Sequence, residues 1–262
     1  MELIQFFQQN FAAYLLVFAR ISGIFITAPI FNNSALPARF KVIFSFFVAL
    51  LVMPLLVQNQ VFTIPNALLP YFFDAFVEVL IGLCLGIIMN IFFATIQVAG
   101  QMIDTQVGFG IVNVLDPQTG TQIPLIGNFV QLIFILVFLA TDMHHLFLNA
   151  VIDSFDIVKL NQAVLQPSMG LFVLQLIVDM FEMAFKIAAP LIMATVLIDV
   201  SMGMLARTMP QLNVFVLGIP LKLAVGIFML SIFLPTYIYI LKVACRDLFS
   251  NIYKMLTLFG GG

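Results

Sequence analysis

Three stretches of this chain, residues 79–103, 117–141 and 223–241, contain no Asp, Glu, Lys or Arg. A helix that crosses the hydrocarbon core of a bilayer needs about 20 largely apolar residues, and these runs meet that need. The composition extends the constraint to the whole chain. Of its 262 residues 63% are hydrophobic and 8% charged, whereas soluble domains carry about a quarter charged residues. With a mean hydropathy of +1.17, lipid or a large protein partner has to cover the surface. The expected fold class is all-α: one integral membrane-associated unit of about six hydrophobic helices, with broken or re-entrant segments among them.

Hydropathy places the six candidate spans at residues 11–30, 42–57, 79–99, 125–140, 181–200 and 221–241. Three carry a blemish: Arg20 lies inside the first, Pro54 near the end of the second, and Glu182 and Lys186 at the start of the fifth. Residues 1–10 lead into the first span without a basic region or a small-residue cleavage pattern, so that span is expected to remain in the mature chain. The basic residues do not agree on an orientation. If Arg39 and Lys41 are cytoplasmic, alternating spans put Arg207 and Lys222 inside as well, but leave Lys242, Arg246 and Lys254 outside. Half-penetrating helices, or a protein collar in place of lipid, give such a pattern. The charges within the helices are expected to need partner groups that lipid does not supply.

Several function classes are excluded or weakened by the residues themselves. Net charge is −2 with scattered basic residues, so no basic stripe is present to bind nucleic acid. Cys84 and Cys245 are too few and too far apart for a disulfide framework or a zinc site. Asp142, His144 and His145 suggest a metal at first sight, but adjacent histidines are expected on different sides of a helix, and no second pair completes a ligand set. The sequence has no zincin motif, no phosphate-binding glycine loop and no nucleophile elbow. We therefore expect no catalytic residue, no cofactor and no metal. Any transport work has to be powered elsewhere.

Other residues carry two readings. Gly82 and Gly86 form a small-xxx-small pair, which serves close helix packing or a dimer contact. Glu182 and Lys186 stand four apart in the order that favours an ion pair, and Asp74 and Glu78 share a helix face. These acids either relay protons or lie near helix ends, where they are wet or paired with a neighbouring chain. Pro65 and Pro70 interrupt the connection after the second span, and residues 142–170 are expected to form an interfacial helix and loop. The Gly260, Gly261 and Gly262 end is given no structural role. Residues 104–122 are expected to be broken. Within them Gly108, Gly110 and Gly120 supply backbone freedom, Asp116 and Pro117 start a turn, and Ile111, Val112 and Leu115 are unusually apolar for a solvated connection. The part from Gly108 to Gln122 is either a re-entrant packing loop or a plug across a pore, since irregular backbone at membrane depth is permitted where it lines a cavity.

The residues together have a recognisable order. Ala28-Pro29-Ile30-Phe31, Leu36-Pro37 ahead of Arg39 and Lys41, Gly100-Gln101-Met102-Ile103-Asp104 with Gly108, Asp116-Pro117, and the run 206–215 with Gly218 and Pro220 resemble the FliR family of flagellar type III export gate subunits. The virulence-secretion counterparts of that family are the SctT-type proteins. Lys186-Ile-Ala-Ala-Pro190, the polar stretch 207–213 and Pro220-Leu-Lys222 also resemble the two-helix hairpin of FliQ-type subunits.

The resemblance implies a single export-gate subunit with a FliP-like part over residues 1–178 and a FliQ-like hairpin over residues 179–258. It implies a structural and gating role in exporting flagellar rod, hook and filament proteins, in the inner membrane at the flagellar basal body. Implied partners are FliP-, FliQ-, FlhB- and FlhA-type proteins, unfolded export substrates and membrane lipid. Arg207, Pro210, Asn213, Pro220 and Lys222 would then mark the cytoplasmic entrance. In such an assembly neighbouring subunits replace lipid, so six tidy spans are not required. The alternatives are a virulence secretion gate and an ion-coupled secondary transporter using Asp74, Glu78, Asp179 and Glu182. The transporter would need two related halves with paired broken helices, and the sequence has no such repeat.

Overall fold

The computed structural model describes residues 2–29, 37–59, 68–108, 124–211 and 213–261. Among them the regular elements are all helical: α1 (Glu2–Thr27), α2 (Ala38–Asn59), α3 (Leu68–Val107), α4 (Leu125–Ala140), α5 (Met143–Ile157), α6 (Ser168–Thr208) and α7 (Val214–Phe259). Helices are the natural outcome, because a chain this apolar has to satisfy its backbone polar groups internally. By length and composition five of them can cross a membrane, or six if α4 and α5 count as one broken span. The chain is thus an all-helical membrane protein, as its sequence indicates.

Three helices are far longer than the expected spans. α3, α6 and α7 have 40, 41 and 46 residues. At 1.5 Å per residue they measure about 60–70 Å, twice the roughly 30 Å hydrocarbon core. This bears on the conflicting basic residues, since Lys242, Arg246 and Lys254 lie on the same helix as Lys222 rather than in a loop beyond it. Pro54, Pro190, Pro220 and Pro235 sit inside helices without ending them.

Some local expectations need correction. α3 continues to Val107, so the break expected from Asp104 starts only at Gly108. Pro70 lies in the first turn of α3, where its missing N–H removes no intrahelical bond. The His144 and His145 rings do not face apart; their centroids are 4.1 Å from each other. Gly260 and Gly261 also do structural work. Gly260 N–H donates to the Leu256 and Thr257 carbonyls, and Gly261 takes a φ of 95°, a conformation that glycine adopts without strain.

The chain divides into two compact units, residues 1–91, 143–176 and 246–262 in the first and residues 92–142 and 177–245 in the second. In the first unit α1 runs beside the early part of α3 at very close range. A methyl group built at Gly82 would fall on the Arg20 carbonyl oxygen, and one at Gly86 on the Thr27 hydroxyl. Both glycines of the small-xxx-small pair therefore serve helix packing within the chain. Contacts rise together along the two helices, from Tyr71 donating to the Ala12 carbonyl at 2.8 Å to the Asn90 amide donating to the Thr27 carbonyl at 3.2 Å, so the helices are parallel.

Within this unit Arg20 is fully buried. Its Nε donates to Glu78 Oε2 at 2.5 Å, Nη1 to the Ser154 carbonyl at 2.7 Å and to its hydroxyl at 3.3 Å, and Nη2 to the Val158 carbonyl at 2.9 Å. The Phe155 ring centroid lies 4.3 Å from the guanidinium carbon. Arg20 thereby closes the C-terminal end of α5, where free carbonyls and the negative end of the helix dipole favour a cation. The expectation that such charges look outside the chain for partners does not hold for this pair: Glu78, which is 1% exposed, supplies the counter-charge from within.

Candidate functional site

The second unit brings three helices, α4, α6 and α7, to the end of α3. Farther back, Phe93 stands edge-on to Phe134 at 4.7 Å, and Phe92 to Phe134 at 5.2 Å, joining α3 to α4. Nearer the end the two backbones touch, since a methyl at Gly100 would overlap the Cα of Gly127. Contacts rise along α3 as they fall along α4, so this pair is antiparallel. The last turn of α3 then reaches three neighbours. Asp104 accepts hydrogen bonds from the backbone N–H groups of Ile126 and Gly127 on α4, each at 2.9 Å. Gln106 donates to Asp199 Oδ2 on α6 at 3.4 Å. Val107 packs its methyl groups against Gly226 of α7, where an added Cβ would lie 3.0 Å away.

Gly108 follows with a φ of 97°, and its N–H donates to the Asp104 carbonyl at 3.1 Å. A residue with a Cβ is strained there, which accounts for glycine at the helix exit. Gly110, Ile111, Val112, Leu115, Asp116, Pro117 and Gly120 lie outside the described residues. What is described is the frame from which their segment departs and to which it returns, Gly108 on one side and Pro124 on the other.

The hairpin of α6 and α7 holds the other candidates. Arg207 stands exposed in the last turn of α6, suited to the negative end of the helix dipole. Pro210 lies in the turn, and Asn213 caps α7 through its side-chain oxygen, which accepts from Val216 N–H at 3.4 Å. Pro220 is exposed within α7. Lys222 is not a free cation, since its Nζ meets Asp199 Oδ1 at 2.5 Å. Asp199 thus joins α3, α6 and α7 through Gln106 and Lys222. Glu182 and Lys186 form their pair at 2.6 Å on an exposed face of α6.

In the sequence Arg20 and Glu78 stand out separately with nothing to pair them, and no motif marks Asp199, Gln106 or the role of Asp104. A signal was available for Asp104, an acidic residue within a run otherwise free of charge. For Asp199 the signal was weaker, one carboxylate among several.

The full sequence matches the family described as bacterial export proteins, family 1, over residues 11–248. It is 40% identical over 245 residues to the flagellar biosynthetic protein FliR of Bacillus subtilis (strain 168), covering 92% of this chain and 91% of that one. It is 30% identical to FliR of Caulobacter vibrioides, covering 86% and 90%, and 27% identical to FliR of Escherichia coli (strain K12), covering 91% and 88%. With the family matched over residues 11–248 and 40% identity along 92% of the chain, the chain belongs to the FliR family of bacterial export proteins.

Proposed function

We propose that the chain is a structural and gating subunit of the flagellar type III protein export channel, in the bacterial inner membrane at the flagellar basal body. The observation that carries this reading is the likeness to flagellar biosynthetic proteins along about nine-tenths of the chain. All the relatives named above are flagellar, which favours this over a virulence secretion gate. Its work is to complete a passage for unfolded rod, hook and filament proteins, with no bond made or broken. Partners are FliP-, FliQ-, FlhB- and FlhA-type proteins. Residues 1–178 form a FliP-like part and residues 179–258 a FliQ-like hairpin whose turn, with Arg207, Pro210, Asn213, Pro220 and Lys222, faces the cytoplasmic entrance.

Exposed apolar side chains along this hairpin, among them Met193, Leu197, Phe228 and Ile232, support a neighbouring helix or lipid as its cover. The exposure continues along helices twice the bilayer thickness, which favours protein. The segment from Gly108 to Gln122 closes the channel at rest: Ile111, Val112 and Leu115 exclude water from a constriction, as hydrophobic gates do.

Loss and restoration of the gene tests the role. Without it the cell is expected to stop secreting hook and filament proteins, and normal secretion would end the proposal. Removing residues 112–116 tests the plug. An assembled complex that leaks small dyes or ions supports it, and an assembled, tight complex refutes it.

A further inference from the structure

Pro124 occupies the N-cap of α4 and makes no side-chain hydrogen bond to it. An N-cap side chain ordinarily accepts from the second or third amide of its helix, and those amides here are Ile126 and Gly127. Both are taken instead by one carboxylate from another helix, Asp104, which is 6% exposed. Its negative charge also suits the positive end of the α4 dipole. The same residue's carbonyl holds Gly108 N–H, the last described group before the connection.

We propose that Asp104 is a positioning residue: it fastens the end of α3 to the start of α4, and so holds both ends of the connection between them at one point. The bond lies across helices where a local cap would have satisfied the same amides, so its distinctive product is the link. Gly100 and Gly127 permit the close approach that the link needs. The fastening stands on the geometry of α3 and α4. Its bearing on channel leak rests on the plug reading given above.

The test uses the assembled complex with Cys84 and Cys245 replaced and spin labels at the exposed positions Thr105 and Asn128. Asp104→Ala removes both the cap and the link. Asp104→Ala/Pro124→Asp supplies a local cap for the same two amides without restoring the link. Both variants are expected to broaden the distance distribution between the labels, and both to raise dye leak about tenfold, equivalent to about 1.4 kcal/mol. A native distribution in Asp104→Ala, or its return in the double variant, overturns the inference, because Asp104 would then be dispensable or only a cap. A double variant that fails to assemble overturns it too, by making Asp104 a folding residue. Shortening residues 112–116 in parallel separates the two readings. If that variant leaks while the Asp104 variants stay tight, the positioning role falls and the plug stands. If it assembles and stays tight, the plug falls and the label distances alone decide the fastening.

Discussion

Replacing Glu78 by Ala leaves the Arg20 guanidinium buried without its counter-charge, although three of its four side-chain hydrogen bonds remain, those to Ser154 and Val158. Breaking a buried pair in this way costs about 3–5 kcal/mol, a fall of roughly a hundredfold or more in the ratio of folded to unfolded chain. Arg20→Ala strands Glu78 in the same way and belongs in the same range. The pair Arg20→Met with Glu78→Leu behaves differently, since no charge is left in the interior. Its remaining loss is the Val158 carbonyl, because the Ser154 carbonyl still accepts from Val158 N–H at 3.0 Å. One unsatisfied buried acceptor costs about 1–3 kcal/mol. The double replacement is therefore expected to be milder than either single one, with a large favourable coupling in the double-mutant cycle. Yield of the assembled membrane complex and its thermal melting supply the ranking. If the double variant costs as much as the two single ones added together, the account of Arg20 as half of a buried pair is wrong.

Gly82→Ala and Gly86→Ala push a methyl group into α1, and overpacking of that kind costs about 1–3 kcal/mol. Gly170→Ala and Gly203→Ala meet nothing within 4 Å and are expected to gain up to about 1 kcal/mol of helix propensity; equal melting of all four variants would contradict the packing argument. Glu182→Ala breaks an ion pair whose side chains are 61% and 67% exposed, so water screens the pair and the melting of the subunit should barely change. A large fall in complex yield from Glu182→Ala would instead place that face of α6 against a partner subunit.

The sequence by itself determined the solvent of this protein and the kind of element it builds. Uncharged runs at 79–103 and 223–241 need a non-aqueous cover, and because they are continuously apolar rather than alternating, helices are the form that satisfies their backbone groups there. The order of the glycine, proline and polar clusters along the chain also carried the family. Local chemistry further revealed the Glu182–Lys186 pair, because four residues of helix bring the two side chains together whatever else the fold does.

Tertiary structure decided the rest, for a reason of distance along the chain. Arg20 meets Glu78 across 58 residues and Ser154 across 134, and no periodicity within α1 encodes either partner. Glu78 read in isolation shares a face with Asp74, and only the parallel packing of α1 on α3 turns it toward Arg20. Asp104 was legible as a lone acid, yet its work as the cap of α4 depends on the backbone contact of Gly100 with Gly127. The lengths of α3 and α6 were hidden as well, because single charges such as Asp74, Glu78 and Asp179 cut the apolar runs that hydropathy counts, while the helical hydrogen bonding passes straight through them.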